Sequence, residues 1–234
     1  MTQKTKRKND QNQQVVIALV VGAIALIAVG LVIVFGGNAA PGDAISIDYS
    51  EIPQGRTADG GYILGSEDAP VTIVAFEDFL CGHCQGYQGT VKEFIKKYVA
   101  TGQARFEFRM LPTNSVSPQA MAMAQCADEV EPNSFWEAHD ILFRLASSER
   151  YSNASNRTFA DEIGIPYADL LECAPDATQQ DIDTALAREA GATGTPTIMV
   201  RMNDRSMPVV NPILGQSPGI EQFDRFFASL AIGG

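Results

Sequence analysis

After a short polar and basic start, the chain runs through residues 15–35 without a charged or strongly polar side chain, 21 positions in all. At about 1.5 Å rise per residue, a helix of that length spans roughly 30 Å, the thickness of bilayer hydrocarbon. The run exceeds the short apolar core of a cleaved signal peptide, so the pattern predicts an uncleaved transmembrane anchor over 15–35. Small residues follow it, which leaves cleavage open. Residues 1–14 hold Lys4, Lys6, Arg7 and Lys8. Such basic flanks stay on the cytoplasmic side, so residues 1–14 read as a cytoplasmic tail and everything beyond the span as extracytoplasmic. Residues 36–49 read as a linker, rich in Gly, Ala and Pro at its start, and residues 50–234 as one folded domain.

Within that domain the first clear element is the nearly continuous apolar run of residues 71–76, bounded by Pro70 and by Glu77-Asp78. It has the look of a strand buried on both faces. A helix is predicted shortly after it, because Tyr87, Val91, Phe94, Ile95 and Tyr98 form one apolar stripe. Lys92, Glu93, Lys96 and Lys97 cover its other side, and Gly102 follows as a stop. Phe106, Phe108 and Met110 then alternate with Glu107 and Arg109, which is strand periodicity. Strand, helix and strand in this order predict a right-handed parallel βαβ unit and an α/β fold.

The character changes between about residues 117 and 190, which read as a helical insertion. Ser117-Pro118 opens an Ala- and Met-rich helix holding Cys126. Phe135, Trp136, His139, Leu142 and Phe143 mark another helix, Leu170, Leu171 and Cys173 lie near the end of a further one, and Ile182, Ala185 and Leu186 give a last stripe before Gly191. Beyond Gly194-Thr-Pro-Thr197 two strands are predicted, at Ile198-Met-Val200 and around Val209-Val210. A final helix packs through Ile220, Phe223, Phe226, Phe227 and Leu230.

Charge narrows the function. The net charge is −11, and the tail before residue 15 contributes +3 from four basic residues and Asp10, so the exported part carries −14. That acidity argues against nucleic acid as a partner and suits a surface-exposed domain.

The chemistry lies in the four cysteines. Thiol–disulfide exchange needs one thiolate that attacks and a second thiol close enough to resolve the mixed disulfide. Cys81-Gly-His-Cys84, at a strand-to-helix turn, offers both. Cys81 falls at the first helical turn, where free N–H groups and the helix dipole stabilise negative charge, and His83 favours the thiolate further when charged. Cys84, one turn on, is the buried resolving partner. As an inert disulfide, so short a loop would constrain little chain entropy. As a zinc site it lacks a second Cys-x2-Cys or a His pair, so no metal and no cofactor are expected.

Strand, Cys-Gly-His-Cys, helix, strand and a distant Gly-Thr-Pro together resemble the thioredoxin superfamily, and the helical insertion resembles its DsbA-like branch. Gly61-Tyr-Ile-Leu-Gly65, Ala69-Pro-Val-Thr72 and Phe135-Trp-Glu-Ala-His-Asp140 add to the likeness. The resemblance implies a thioredoxin fold and a cis peptide bond before Pro196, with Thr195 turned outward to pair with an extended substrate peptide. It implies a structural disulfide between Cys126 and Cys173, the two leftover cysteines of an exported domain; two buried free thiols are the alternative. It also implies exported cysteine-containing proteins as substrates and a membrane quinone-coupled redox partner.

One position departs from the pattern. Many relatives carry a buried acid six residues before the first active-site cysteine, and here that position is Ala75. Glu77 and Asp78 are nearer, but the direction in which they point is not legible, and neither is the route by which protons leave Cys84. The leading expectation is an oxidase that donates the Cys81–Cys84 disulfide. An isomerase or reductase on the same fold is the enzymatic rival, since Cys-Gly-His-Cys also resembles protein disulfide isomerase. A metallochaperone or a peptide-binding module with a non-catalytic pair is the rival of another class.

Overall fold

A computed structural model describes residues 45–148, 150–202 and 206–232. The expected span over 15–35, the tail before it and most of the linker lie outside the described residues. Among the described residues no helix is long and apolar enough to cross a membrane.

Five strands form one sheet in the order β1-β2-β4-β3-β5: β1 (Gln54–Arg56), β2 (Tyr62–Leu64), β3 (Thr72–Glu77), β4 (Arg105–Met110) and β5 (Thr197–Arg201). Only β3 and β4 run parallel, in the register Ile73 to Phe106, Ala75 to Phe108 and Glu77 to Met110; β5 lies antiparallel to β3. Between β3 and β4 comes α1 (Gly82–Phe94), which continues into a widened last turn, Ile95–Val99, where the Ala100 N–H reaches the Ile95 carbonyl. Five helices separate β4 from β5: α2 (Ser117–Val130), α3 (Phe135–Ser148), α4 (Asn153–Ile163), α5 (Tyr167–Cys173) and α6 (Gln179–Ala190); α7 (Ile220–Ile232) closes the domain. This is the α/β thioredoxin fold with a helical insertion that the residues imply.

Strand geometry sends alternate side chains to opposite faces, and here both faces are buried. Ile73, Ala75, Phe106 and Phe108 join Val91 and Phe94 of α1, Phe223 of α7, and Trp136 and Phe143 of α3 in the larger core. Val74, Phe76 and Met199 meet Ala187 of α6 on the other side. Thus α6, the last helix of the inserted segment, returns to the sheet and covers its second face.

The polar half of the β4 alternation is buried on that second face. Arg109 is 1% exposed and pairs with Glu107 at 2.6 Å, Asp183 of α6 at 2.8 Å and Asp59 at 2.8 Å. Arg201 of β5 also pairs with Glu107. Gly61 has a packing reason to be glycine, since a Cβ there would collide with the Arg109 guanidinium.

Two predicted features come out differently. The strand expected around Val209-Val210 is a single bridge between Val209 and Val200, both residues exchanging N–H and carbonyl. Tyr49, the end of the expected linker, packs on the domain: it stacks on Trp136 and donates to Asp140 at 3.0 Å. Helix α4 and the β1–β2 hairpin were not legible. Asn156, part of a glycosylation-like Asn-Arg-Thr, is 5% exposed and accepts from Tyr151.

Candidate active site

The turn from β3 into α1 makes Cys81 the N-cap, with an extended backbone and its carbonyl accepting the first helical bond, from Gln85 N–H at 3.0 Å. Cys81 is half-buried and Cys84, one turn later, is fully buried; both are free thiols. Asp78 braces this turn. Its buried carboxylate accepts from Leu80 N–H at 2.9 Å, Thr113 N–H at 2.8 Å and the hydroxyls of Thr113 and Ser117 at 2.5 and 2.6 Å. The cysteine turn is therefore tied to the start of α2.

Facing it, the Thr195–Pro196 peptide is cis, and the Cys81 thiol donates to the Thr195 carbonyl at 3.5 Å. Ser217 Oγ donates to the Pro196 carbonyl at 3.1 Å, and Tyr87 Oη to Pro218 at 2.5 Å. A groove of about 610 Å³ runs between Gly82, His83 and Gly86 on one side and Thr195, Pro196 and Gln216 on the other. His83 is exposed at its rim. The Thr195 hydroxyl has no partner among the described residues, so it is available to donate to a Cys81 thiolate.

The two sulfurs are chemically unlike. Burial pushes the Cys81 thiol up, but the hydrogen bonds that the Thr195 side chain and the Cys84 and His83 backbone N–H groups can give its thiolate outweigh it and hold Cys81 below the ordinary thiol range. Burial, then the nearby Glu77 carboxyl, pushes the Cys84 thiol far up. Cys81 is the sulfur that ionises and meets solvent; Cys84 stays a protected thiol.

Of the two acids whose direction was open, Asp78 points to the α2 start. Glu77 lies on the same strand face as Ala75, fully buried, and accepts from Gln88 Nε2 at 2.8 Å. Its other oxygen, Oε1, has no partner among the described residues. Desolvation raises the Glu77 carboxyl to about 8. Gln88 and Asp78's partners Thr113 and Ser117 gave no signal in the sequence, because they are ordinary polar residues far from the cysteine motif.

Cys126 of α2 and Cys173 of α5 are joined by a disulfide, with Cα atoms 5.7 Å apart. His139 is buried against Phe79, Phe108 and Phe143 with its Nδ1 3.3 Å from Asp140.

The thioredoxin family model matches residues 57–210, more than half of the chain and all of the site just described except Gln216 and its neighbours. The chain belongs to the thioredoxin family. Among curated proteins it is 30% identical over 148 residues to Na(+)/H(+) antiporter NhaA 3 of Salinispora tropica, covering 61% of this chain and 22% of that protein. It is 33% identical over 88 residues to disulfide bond formation protein D of Bacillus subtilis, covering 36% of this chain and 39% of that one. The chain thus spans well under two thirds of the length of these relatives. Among solved structures, alpha-DsbA1 of Wolbachia pipientis shares the fold, with a TM-score of 0.61 at 20% identity over 73% of this chain and 90% of that one. At that identity the likeness is one of fold: a thioredoxin domain with a helical insertion.

Proposed function

We propose that the protein is an extracytoplasmic thiol–disulfide oxidoreductase that introduces disulfides into exported proteins through Cys81 and Cys84, anchored by a single span at residues 15–35. The observation that carries this reading is the asymmetry of the pair: Cys81 half-buried at a helix start facing Thr195, Cys84 sealed beneath it. In the oxidising direction, a substrate thiolate attacks Cys81 Sγ, the Cys81–Cys84 bond breaks, and the electron pair goes to Cys84. A second substrate thiolate then attacks the first substrate sulfur and releases Cys81. A sulfur held in the thiolate form is the better leaving group, which favours release of oxidised product. The dithiol is recharged by a membrane quinone-coupled partner. Substrate backbone pairs with Thr195 beside Pro196 as an added strand.

The isomerase or reductase reading uses the same site and differs in the resting redox state. A metallochaperone reading finds less support. Among the described residues the cluster with metal-ligand spacing is Cys126, Glu129 and Cys173, and its two sulfurs are bonded to each other.

Replacing Cys84 with Ser should trap mixed disulfides on Cys81 with exported clients, whereas Cys81→Ser should trap none. The reduction potential should fall nearer the roughly −180 mV of protein disulfide isomerase than the roughly −270 mV of thioredoxin. A pair that rests mainly as dithiol in growing cells, with a thioredoxin-like potential, would replace the oxidase reading with the reductase one.

A further inference from the structure

A buried carboxyl is rarely left half-paired, and here two neighbouring acceptors are. Glu77 Oε1 and Gln88 Oε1 are both buried without a donor among the described residues, while Gln88 Nε2 bridges Glu77 Oε2 at 2.8 Å and the Cys84 carbonyl at 3.3 Å. Gln88 also lines a cavity of about 140 Å³ at the seam between α1 and α3, whose other walls include Lys92, Asp140, Arg144 and Ser147. At about 30 Å³ per water, that space takes several molecules, and its walls supply polar partners for them. Ser147 and Arg144 at its edge are exposed. The seam is distinct from the groove at Pro196, with which it shares no lining residue.

We propose that Glu77, held by the Gln88 amide that lines the α1–α3 cavity, exchanges the proton of Cys84 with water in that cavity and so with solvent along the flank of the molecule, separate from the groove where substrate lies. The proposal rests on the exchange reading above. When the Cys81–Cys84 bond breaks and the electron pair goes to Cys84 Sγ, the Glu77 carboxyl supplies the proton and becomes a carboxylate; solvent restores it through the cavity. Recharging runs the same transfers backward, with the Cys84 proton passing to Glu77. A flank route lets the proton move while a bound peptide covers Cys81. Glu77 acts within a defined electrostatic setting: Cys81, Cys84 and Tyr87 of α1 interact with it, and the Lys92–Asp140 pair at 2.7 Å and Arg144 bound the cavity.

The test is stopped-flow reduction of the Cys81–Cys84 disulfide of the full chain by dithiothreitol, from acidic to alkaline pH, with rates normalised to the reagent's thiolate. Wild type should lose rate through an inflection near about 8 as Glu77 gives up its proton. Glu77→Gln should remove that inflection and slow the reaction at neutral pH by roughly tenfold or more, as loss of a general acid does. Ser147→Trp, an exposed substitution that plugs the seam, should slow the neutral-pH reaction several-fold and leave the Cys81 titration unmoved. An inflection that survives in Glu77→Gln, or a rate unchanged in Ser147→Trp, overturns the proposal while the exchange reading stands. A wild-type disulfide inert to dithiothreitol overturns both.

Discussion

At the scale of single residues, the chemistry comes from where two sulfurs of the same type are placed. Cys81 can ionise because it caps a helix and faces hydrogen-bond donors; for Cys84, burial and the nearby Glu77 carboxyl outweigh the hydrogen bonds open to it. The same desolvation acts on Glu77, and its sign can be followed into stability. Burial raises its folded value to about 8 from the 4.5 of an ordinary carboxyl. Between those values the native state keeps the proton and the unfolded state has released it, so unfolding becomes easier as pH rises. The contribution is whole below the lower value and is lost progressively up to the higher one, at about 1.4 kcal/mol per pH unit. An amide has no proton to lose, so Glu77→Gln should flatten the fall in stability across that window, as read by urea midpoints at several pH values. A variant that keeps the wild-type slope would show that Glu77 stays ionised in the native state. The sequence puts Glu77 within reach of this role, because it stands two residues beyond Ala75 and shares its strand face. It does not show that Glu77 turns inward under Gln88 while Asp78 turns toward Thr113. Both are carboxylates at a strand end, and what separates them is the position of α1 and of the α2 start.

At the scale of elements, strands and helices with a clean period were readable, and elements specified by capping or by distant partners were not. The βαβ opening follows from the stripe of Tyr87, Val91, Phe94 and Tyr98 between two apolar runs. Helix α4 is polar along much of its length; what defines it is a capping box between Ser152 and Ser155 and a left-handed Gly164 at its end. The alternation in β4 gives the strand but not the fate of its polar face, since the partner of Arg109, Asp183, lies 74 residues away. That network makes a prediction. Arg109→Met leaves Asp59 and the buried Asp183 without their cation and Glu107 with Arg201 alone, and should cost on the order of 3–5 kcal/mol. The network lies on the second face of the sheet, so the dithiothreitol rate of the folded variant should match wild type; a loss of exchange in a stably folded protein would mean the two faces are coupled. The Cys126–Cys173 bridge, joining α2 to α5 across 47 residues, should add on the order of 4 kcal/mol by restricting the unfolded chain. Replacing both with Ala should lower the melting temperature and leave the rate of Cys81–Cys84 exchange in place.

At the scale of the whole molecule, the proposed function assigns exchange chemistry to the domain and the place of that chemistry to the segment before it. Residues 15–234 carry −14 and have few means of binding anionic lipid or nucleic acid, so in the proposed reading contact with the membrane falls to the apolar run over 15–35. In the proposed reading, Lys4, Lys6, Arg7 and Lys8 before the apolar run orient it with the amino terminus in the cytoplasm. Protease added to spheroplasts should therefore digest everything beyond about residue 36 and leave a short stub in the membrane fraction. The stub should keep a tag placed at the amino terminus, and alkali should not extract it, as expected for roughly 20 apolar residues in hydrocarbon. A mature protein beginning near Asp43 and released into the medium would show instead that the run is cleaved. The domain would then meet its clients in free solution, and the membrane partner would have to be reached by diffusion.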